Sequence, residues 1–252
     1  MKKKCSVFIG MLSVLSGFLL FSECAYRLVP GPFVPLNKAE QMSEMTVSDD
    51  GTITFIRDRL EVGFRPITDE ELNRQFAGFS QSGEKSTNPY TYGDWKARGT
   101  EAPPKRFTVF ELKVKNYTYP KMRIDPSKIS MTSQNHRKYL PMSLQAMNEY
   151  YYPYILGYTG NAYRRSEERK DLLHKTLFSD DILFSGQSVE GFVVFPDLHD
   201  DVRQITVSIE DIEVRYDAWG TPIETENLTF QFRRAVQRED RQSVEVRGEG
   251  GS

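Results

Sequence analysis

The chain has little cysteine, and the two cysteines that it has lie close to its start. Cys5 and Cys24 both fall within the first 24 of its 252 residues. From residue 25 onward the sequence therefore excludes an internal disulfide, a catalytic thiol and a cysteine-based zinc site. A folded chain of this length buries roughly 70–75% of the surface that its unfolded form exposes, so a stable core needs neither disulfides nor a metal.

Recognisable catalytic motifs are also missing. The sequence has no G-x-S-x-G nucleophile elbow and no H-E-x-x-H, and its histidines, His136, His174 and His199, are isolated from one another. Residues 197–201, Asp-Leu-His-Asp-Asp, carry oxygen and imidazole groups but lack the spacing of a calcium loop. We therefore predict a protein that is not an enzyme and that has no cofactor and no bound metal.

The chain has no excess of basic residues. It contains 33 Lys and Arg against 35 Asp and Glu, for a formal net charge of −2. This balance provides no positive field for nucleic acid, so we predict no nucleic-acid partner. A content of 38% hydrophobic and 27% charged residues is typical of a globular protein rather than of a disordered or multi-span membrane protein.

The first 24 residues have the pattern of a secretory signal peptide, because three lysines precede the uncharged apolar run 5–21. Small residues before Ala25 suit a signal peptidase cut at that point. Alternatively, residues 20–24, Leu-Phe-Ser-Glu-Cys, resemble a bacterial lipobox, which would make Cys24 a lipid attachment site. The run is also at the short limit for a retained membrane anchor. We expect an exported protein, periplasmic or membrane-anchored in the cell envelope, with these three fates of the leader left open.

Hydrophobic alternation predicts the strands. Residues 25–48 contain Pro30-Gly31-Pro32 and Pro35 and are interpreted as an extended linker, whereas residues 49–235 contain about eight short alternating segments separated by turn signals. The strongest covers residues 106–115, where Phe107 and Val109 share one face and Phe110, Leu112 and Val114 the other. Its first half is therefore predicted to be covered on both faces.

Later strands are predicted at residues 204–215 and 227–234, and residues 236–252 are predicted to be a disordered tail. Three segments interrupt the strands. Residues 68–71, Thr-Asp-Glu-Glu, form a capping box that predicts a short helix, residues 81–105 are predicted to be a long surface loop, and residues 143–178 are predicted to be a helical insertion.

Taken together, these patterns predict a mainly β fold: one antiparallel β-sandwich of about eight strands with a helical insertion, with a small barrel as the alternative. The segment Phe107–Asn116, together with the later Gly186-Gln and the residues 191–196, Gly-Phe-Val-Val-Phe-Pro, resembles immunoglobulin-like domains of exported bacterial proteins. The resemblance implies an immunoglobulin-like sandwich that binds or spaces other modules, and it brings no catalytic residues.

Aromatic residues are concentrated in the long loop and in the insertion. Tyr and Trp combine a large contact area with a polar group that tolerates water, which suits protein surfaces and sugar rings. The candidate binding residues are Tyr90, Tyr92, Trp95, Tyr151 and Tyr154. If they bind a partner, their rings are expected to be partly exposed and close together. The alternative is that these rings pack the loop and the insertion onto the sandwich.

We thus predict an exported, non-enzymatic envelope protein that acts as a binding or assembly module through an aromatic-rich surface. Its partner is expected to be an envelope protein or a glycan, with membrane association through the N-terminus. The alternative is a carbohydrate-binding protein or carbohydrate-active enzyme that uses Tyr-rich loops and loop carboxylates. Carboxylates that converge beside exposed aromatic rings in a groove would favour this alternative.

Overall fold

The computed structural model describes residues 26–57, 59–81, 83, 86–96, 104–157 and 162–240. The predicted leader and its Cys24 lie outside these residues. One compact unit spans Leu28–Gln237. A second, small unit contains the two chain ends, and in its described part the Arg238 guanidinium lies 4.8 Å from the centre of the Tyr26 ring.

The described chain is mainly β, and its two five-stranded sheets are antiparallel. Its strands are β1 (Tyr26–Pro30), β2 (Val34–Pro35), β3 (Met45–Val47), β4 (Ile53–Arg57), β5 (Leu60–Ile67), β6 (Phe107–Asn116), β7 (Lys121–Met122), β8 (Ile129–Ser133), β9 (Lys138–Tyr139), β10 (Leu183–Phe184), β11 (Ser188–Pro196), β12 (Gln204–Tyr216), β13 (Pro222–Arg233) and β14 (Val236–Asp240). The helices are α1 (Asp69–Gln75), α2 (Ala77–Ser80), α3 (Leu144–Gly157) and α4 (Ala162–Thr176).

Two five-stranded sheets form the body of the fold. The first sheet has the order β11-β6-β5-β4-β3, and the second has the order β2-β13-β12-β8-β9. Two further strand pairs, β1 with β14 and β7 with β10, lie outside these sheets. The two sheets therefore contain ten strands in the described residues, where the sequence predicts about eight.

The facing sides of the two sheets share one hydrophobic core. Phe64 and Phe110 of the first sheet stack with ring centres 4.9 Å apart, and Phe110 lies 5.2 Å from Phe232 of the second sheet. Each of these three side chains is fully buried. Because close-packed interiors leave few voids, these rings fix how the sheets sit against each other.

A helical layer covers the other face of the first sheet. Phe107 and Val109 of β6 and Phe192 and Val194 of β11 form a second core cluster with Leu173 of α4 and residues of the other helices. The alternate residues Phe110, Leu112 and Val114 of β6 face the first core instead. The prediction that β6 is covered on both faces is confirmed, since side chains alternate between the faces of a strand.

The predicted helices are present with shifted ends. Thr68 caps α1, its side chain accepting a hydrogen bond from the Glu71 backbone N–H at 3.2 Å, as the capping box predicts. The Glu71 carboxylate instead accepts hydrogen bonds from Arg65, at 2.8 and 3.0 Å. The insertion contains α3 and α4, and α3 continues through Pro153. Within the described residues, no helix is both long and apolar enough to cross a membrane.

Two boundary predictions are wrong. Residues 25–48 are not merely a linker. Within them β3 is part of the first sheet and β2 is part of the second, and Phe33, Leu36 and Met45 are buried. The predicted tail begins with the strand β14, which pairs with β1, and its residues 241–252 lie outside what the structure describes. In both places a few apolar residues between prolines or charges are stabilised by partners that are distant in the sequence.

Gly191 lets the end of the helical layer lie directly on the sheet. A Cβ atom at Gly191 would lie 2.7 Å from both the N and the Cα atom of Phe178. The same contact includes a hydrogen bond from the Phe178 N–H to the Phe192 carbonyl at 3.0 Å. The atoms that the added Cβ would meet belong to the backbone of Phe178, so a change of side-chain rotamer cannot relieve the contact.

We expect Gly191→Ala to lower the free energy of unfolding by about 1–3 kcal/mol, the usual cost of overpacking. Urea denaturation measures this change. Gly78→Ala is the control, because Gly78 lies in α2 and has no atom within 4 Å of its added Cβ. It should leave stability unchanged or slightly higher. Equal urea midpoints for the two variants would contradict the close approach at Gly191.

Candidate functional site

The predicted aromatic site forms a packed core rather than an open surface. Tyr90 is fully buried and Tyr151 is 4% exposed, so the expectation that these two rings are exposed is wrong. Tyr92 and Trp95 are half-buried and in contact, with ring centres 5.5 Å apart. The side chain of Tyr154 lies outside what the structure describes.

Hydrogen bonds explain why these rings are buried. The Tyr151 hydroxyl donates to the Pro89 carbonyl at 2.7 Å and accepts from Arg106 at 2.9 Å, and the Arg106 guanidinium lies 3.8 Å from the centre of the Tyr92 ring. Tyr90 shares a short hydrogen bond with Thr176 at the end of α4. These contacts attach the loop to both long helices. Tyr90 and Tyr151 therefore follow the alternative that the sequence left open, in which these rings pack the loop and the insertion onto the sandwich.

The most exposed aromatic side chain among the described residues lies elsewhere. Trp219 is 93% exposed and occupies the turn between β12 and β13. The pairing of β8 with β12 stops at Ile209, where a bulge interrupts the register between β12 and β13. Beyond this point the two strands continue as a hairpin, which we call the arm (residues 210–227). A bulge bends a strand and strengthens its twist, so it marks where the arm leaves the sheet.

The turn at the tip of the arm is held by Asp217. Its carboxylate accepts hydrogen bonds from the backbone N–H groups of Trp219, at 2.9 Å, and Thr221, at 2.8 Å. Its own N–H donates to the Thr221 carbonyl at 2.9 Å, and Gly220 adopts a φ of 87°, which favours glycine. The Trp219 ring is thus presented to solvent on a fixed turn.

A groove of about 520 Å³ lies along the arm. Its walls come from the turn between β4 and β5, from the segment before and within β7, and from the arm. The residues that line it are Arg57, Arg59, Tyr119, Pro120, Lys121, Val214, Arg215, Tyr216, Asp217 and Glu224. We call this the arm groove. Its size falls within the range of known ligand sites.

Ion pairs fix the walls of the arm groove. Arg57 binds both oxygens of Glu226, at 2.8 and 2.9 Å, and also binds Glu44 at 2.9 Å, so it joins the β4–β5 turn to the arm. Within the arm, Arg215 lies 3.2 Å from Glu224. Because each pair is partly exposed, we expect it to orient the side chains more than to stabilise the fold.

Two cations lie over the aromatic rings of the groove. The Arg59 guanidinium is 5.7 Å from the centre of the Tyr119 ring, and the Lys121 ammonium is 4.0 Å from that of Tyr216. Both are within the distance at which a ring face attracts a cation. The contacts hold each charge in place at the groove.

Both groove tyrosines stay neutral at physiological pH. Burial raises the pKa of Tyr216, and the hydrogen bond that its hydroxyl donates to Glu213, at 2.8 Å, raises it further. Burial and the nearby charges of Glu224 and Glu226 raise the pKa of Tyr119. The groove therefore presents protonated phenols and fixed cations.

A second charged cluster consists of Asp69, Lys105, Asp197 and Arg234. Desolvation raises the pKa of both carboxyls and lowers the pKa of Lys105 and of Arg234. Arg234 has a structural role, because it donates to the carbonyls of Val202, at 2.6 Å, and His199, at 2.8 Å. In the described residues, no three His, Cys, Asp or Glu side chains are grouped so that they could hold a metal.

The arm is not predicted from the sequence. The predicted strands end at residue 215 and begin again at residue 227, so residues 216–226 are interpreted only as a connection between them. The signal that indicates the arm is Asp217 followed by Gly220, a turn pair between the β-prone residues Tyr216 and Ile223.

Comparisons with known proteins add little. No protein-family model matches the chain, and no curated protein matches it. The yjhA protein from Bacillus subtilis is similar in structure with a TM-score of 0.33 and 11% identity, over 70% of this chain and 93% of that one. A functionally unknown protein from Listeria monocytogenes EGD-e has a TM-score of 0.33 and 13% identity, over 82% and 87%. Similarities at this level do not bear on the function of this chain.

Proposed function

We propose that this chain is an exported, non-enzymatic binding or assembly module of the cell envelope and that the arm groove, with Trp219, is its binding surface. The observation that carries the proposal is the fully displayed Trp219 on a fixed turn beside a groove of Arg and Tyr side chains. Trp, Tyr and Arg are the residues most enriched among those that dominate protein–protein binding. The export part of the proposal rests on the leader sequence.

We also assign the sandwich to the immunoglobulin-like class. Two antiparallel sheets with a shared core support this assignment, as does the segment Phe107–Asn116, which forms the interior strand β6. Domains of this class present binding loops and hairpins at the ends of the sandwich, and the arm lies at such an end. The extra edge strands and the helical layer are additions to that plan.

The groove is better suited to a protein than to a glycan. Sugar binding by aromatic residues needs flat ring faces that are open to the ligand. Trp219 offers such a face, but within the groove Arg59 and Lys121 occupy faces of Tyr119 and Tyr216. The rings that the sequence analysis offered for sugar binding, Tyr90 and Tyr151, are buried. We therefore place the carbohydrate alternative second.

Cross-linking in the native host tests the binding surface. A photo-cross-linking amino acid in place of Trp219 is expected to yield one main covalent partner. The control places the same group at Tyr163, which is 72% exposed on α4 and far from the arm in sequence. No adduct at position 219, or the same adducts at both positions, would contradict the assigned surface.

The partner recovered in this way allows a second measurement. Trp219→Ala is expected to weaken its binding by about 30-fold or more, the loss typical of a dominant interface tryptophan. The free energy of unfolding should change by less than about 0.5 kcal/mol, because the side chain is 93% exposed and contributes no packing. Unchanged affinity would remove Trp219 from the binding surface.

A further inference from the structure

The lining of the arm groove has more cations than acids. Four of its lining residues are cations, Arg57, Arg59, Lys121 and Arg215, and two are acids, Asp217 and Glu224. Two further acids, Glu44 and Glu226, pair with Arg57 from outside the lining, and with them the acids equal the cations in number. An acidic ligand is therefore attracted by particular cations of the groove rather than by its net charge.

The acidic residues of the groove are already engaged. Asp217 accepts hydrogen bonds from the backbone of the turn, and Glu224 pairs with Arg215 at 3.2 Å. Arg57 is neutralised by Glu44 and Glu226. These contacts account for two of the four cations and for both acids.

Arg59 and Lys121 are the cations that remain. Neither forms an ion pair with any residue in the part of the chain that the structure describes. Each is instead held over a tyrosine ring, which orients the charge without neutralising it. A carboxylate that reaches the groove would therefore meet two oriented cations whose charge is not yet compensated.

The number of these charges limits the ligand class. Nucleic-acid binding commonly involves six or more phosphate contacts, and two free cations on an acidic chain do not provide them. Two carboxylates near a large apolar side chain match the two groove cations and Trp219, which lies two positions after the groove residue Asp217. That combination is typical of a short acidic peptide segment.

Resting on the function proposed above, we infer that the arm groove binds a short acidic segment of a partner protein. Arg59 and Lys121 pair with its carboxylates, and the Trp219 ring packs against an aromatic or large aliphatic side chain next to them. The carboxylates of the segment accept charge-assisted hydrogen bonds from Arg59 and Lys121, which have no carboxylate partner within the described residues.

Fluorescence anisotropy with a labelled octapeptide of alternating Asp and Phe tests this inference. We expect the peptide to bind the exported domain, and binding to weaken at high salt because exposed charges are screened. The double variant Arg59→Gln/Lys121→Gln should bind about 10-fold more weakly or worse. The matched control is Lys170→Gln/Lys175→Gln, which removes the same charge from α4, and its affinity should equal that of the wild type.

Three outcomes would overturn the inference. The first is no binding of the acidic peptide at millimolar concentration, and the second is equal binding by Arg59→Gln/Lys121→Gln and the wild type. The third is tighter binding of a labelled oligogalacturonate, an acidic glycan, than of the peptide. Unfolding curves of both double variants verify that each is folded. If the inference fails while position 219 still cross-links to one partner, the proposed function stands. If both experiments fail, so does the proposed function.

Discussion

Replacing Phe110 with alanine is expected to lower the free energy of unfolding by about 3–5 kcal/mol. Phe110 is fully buried where the two sheets meet, and its ring contacts Phe64, Phe195 and Phe232 with centres 4.9–6.0 Å apart. Truncation removes the buried area of one ring and leaves a cavity between three others. Neighbours on two different sheets cannot all move in to fill it, so we expect little relaxation.

Urea denaturation followed by tryptophan fluorescence measures the effect. The control is Phe184→Ala, the same change at a side chain that is 54% exposed, which should cost less than about 1 kcal/mol. Equal midpoints for the two variants would mean that Phe110 does not lie in the core and would refute the shared core of the two sheets.

Strand β6 was predictable because its pattern is local. Apolar residues in this strand recur with a period of two, Phe107 and Val109 on one face and Phe110, Leu112 and Val114 on the other, and each set lies in one of the two cores. The cap of α1 was predictable for the same reason, since Thr68 and Glu71 are three residues apart. In such segments the information needed lies within a few neighbouring residues.

The edge strands could not be predicted in this way. β2 consists of two residues, Val34 and Pro35, and its pairing partners are Arg233 and Phe232, about 200 positions later. Nearby, Gln41 adds side-chain hydrogen bonds to the backbone of Gln231. The proline-rich composition correctly indicates an extended chain, but only the tertiary structure decides whether such a chain joins a sheet.

The candidate site shows a related limit. A tyrosine suits both a core and a surface, because its ring is apolar and its hydroxyl is satisfied either by water or by a buried partner. Density of tyrosine in the sequence therefore does not distinguish the two. In Tyr90 and Tyr151 the hydroxyls have protein partners, Thr176 for one and Pro89 and Arg106 for the other. The displayed ring belongs to Trp219, which has no aromatic neighbour close by in the sequence except Tyr216.

The last prediction uses two adjacent tyrosines of α3. Tyr151 is 4% exposed and Tyr152 is 59% exposed, although they have the same side chain and lie on the same helix. We expect Tyr151→Ala to lower the free energy of unfolding by about 3–5 kcal/mol. The loss has two sources, the buried ring and the hydroxyl, whose removal leaves the Pro89 carbonyl without this donor.

Tyr152→Ala is the matched control, and thermal or urea unfolding measures both variants. Its cost should stay below about 1 kcal/mol, because most of the side chain remains in water in the folded state. Neither substitution should change the affinity for the partner cross-linked at position 219 when binding is expressed per folded molecule, since both residues lie in the helical layer. If Tyr151→Ala instead left stability unchanged and abolished that binding, the tyrosines of the insertion would be the recognition surface, as the sequence alone suggested, and the arm groove would lose its assigned role.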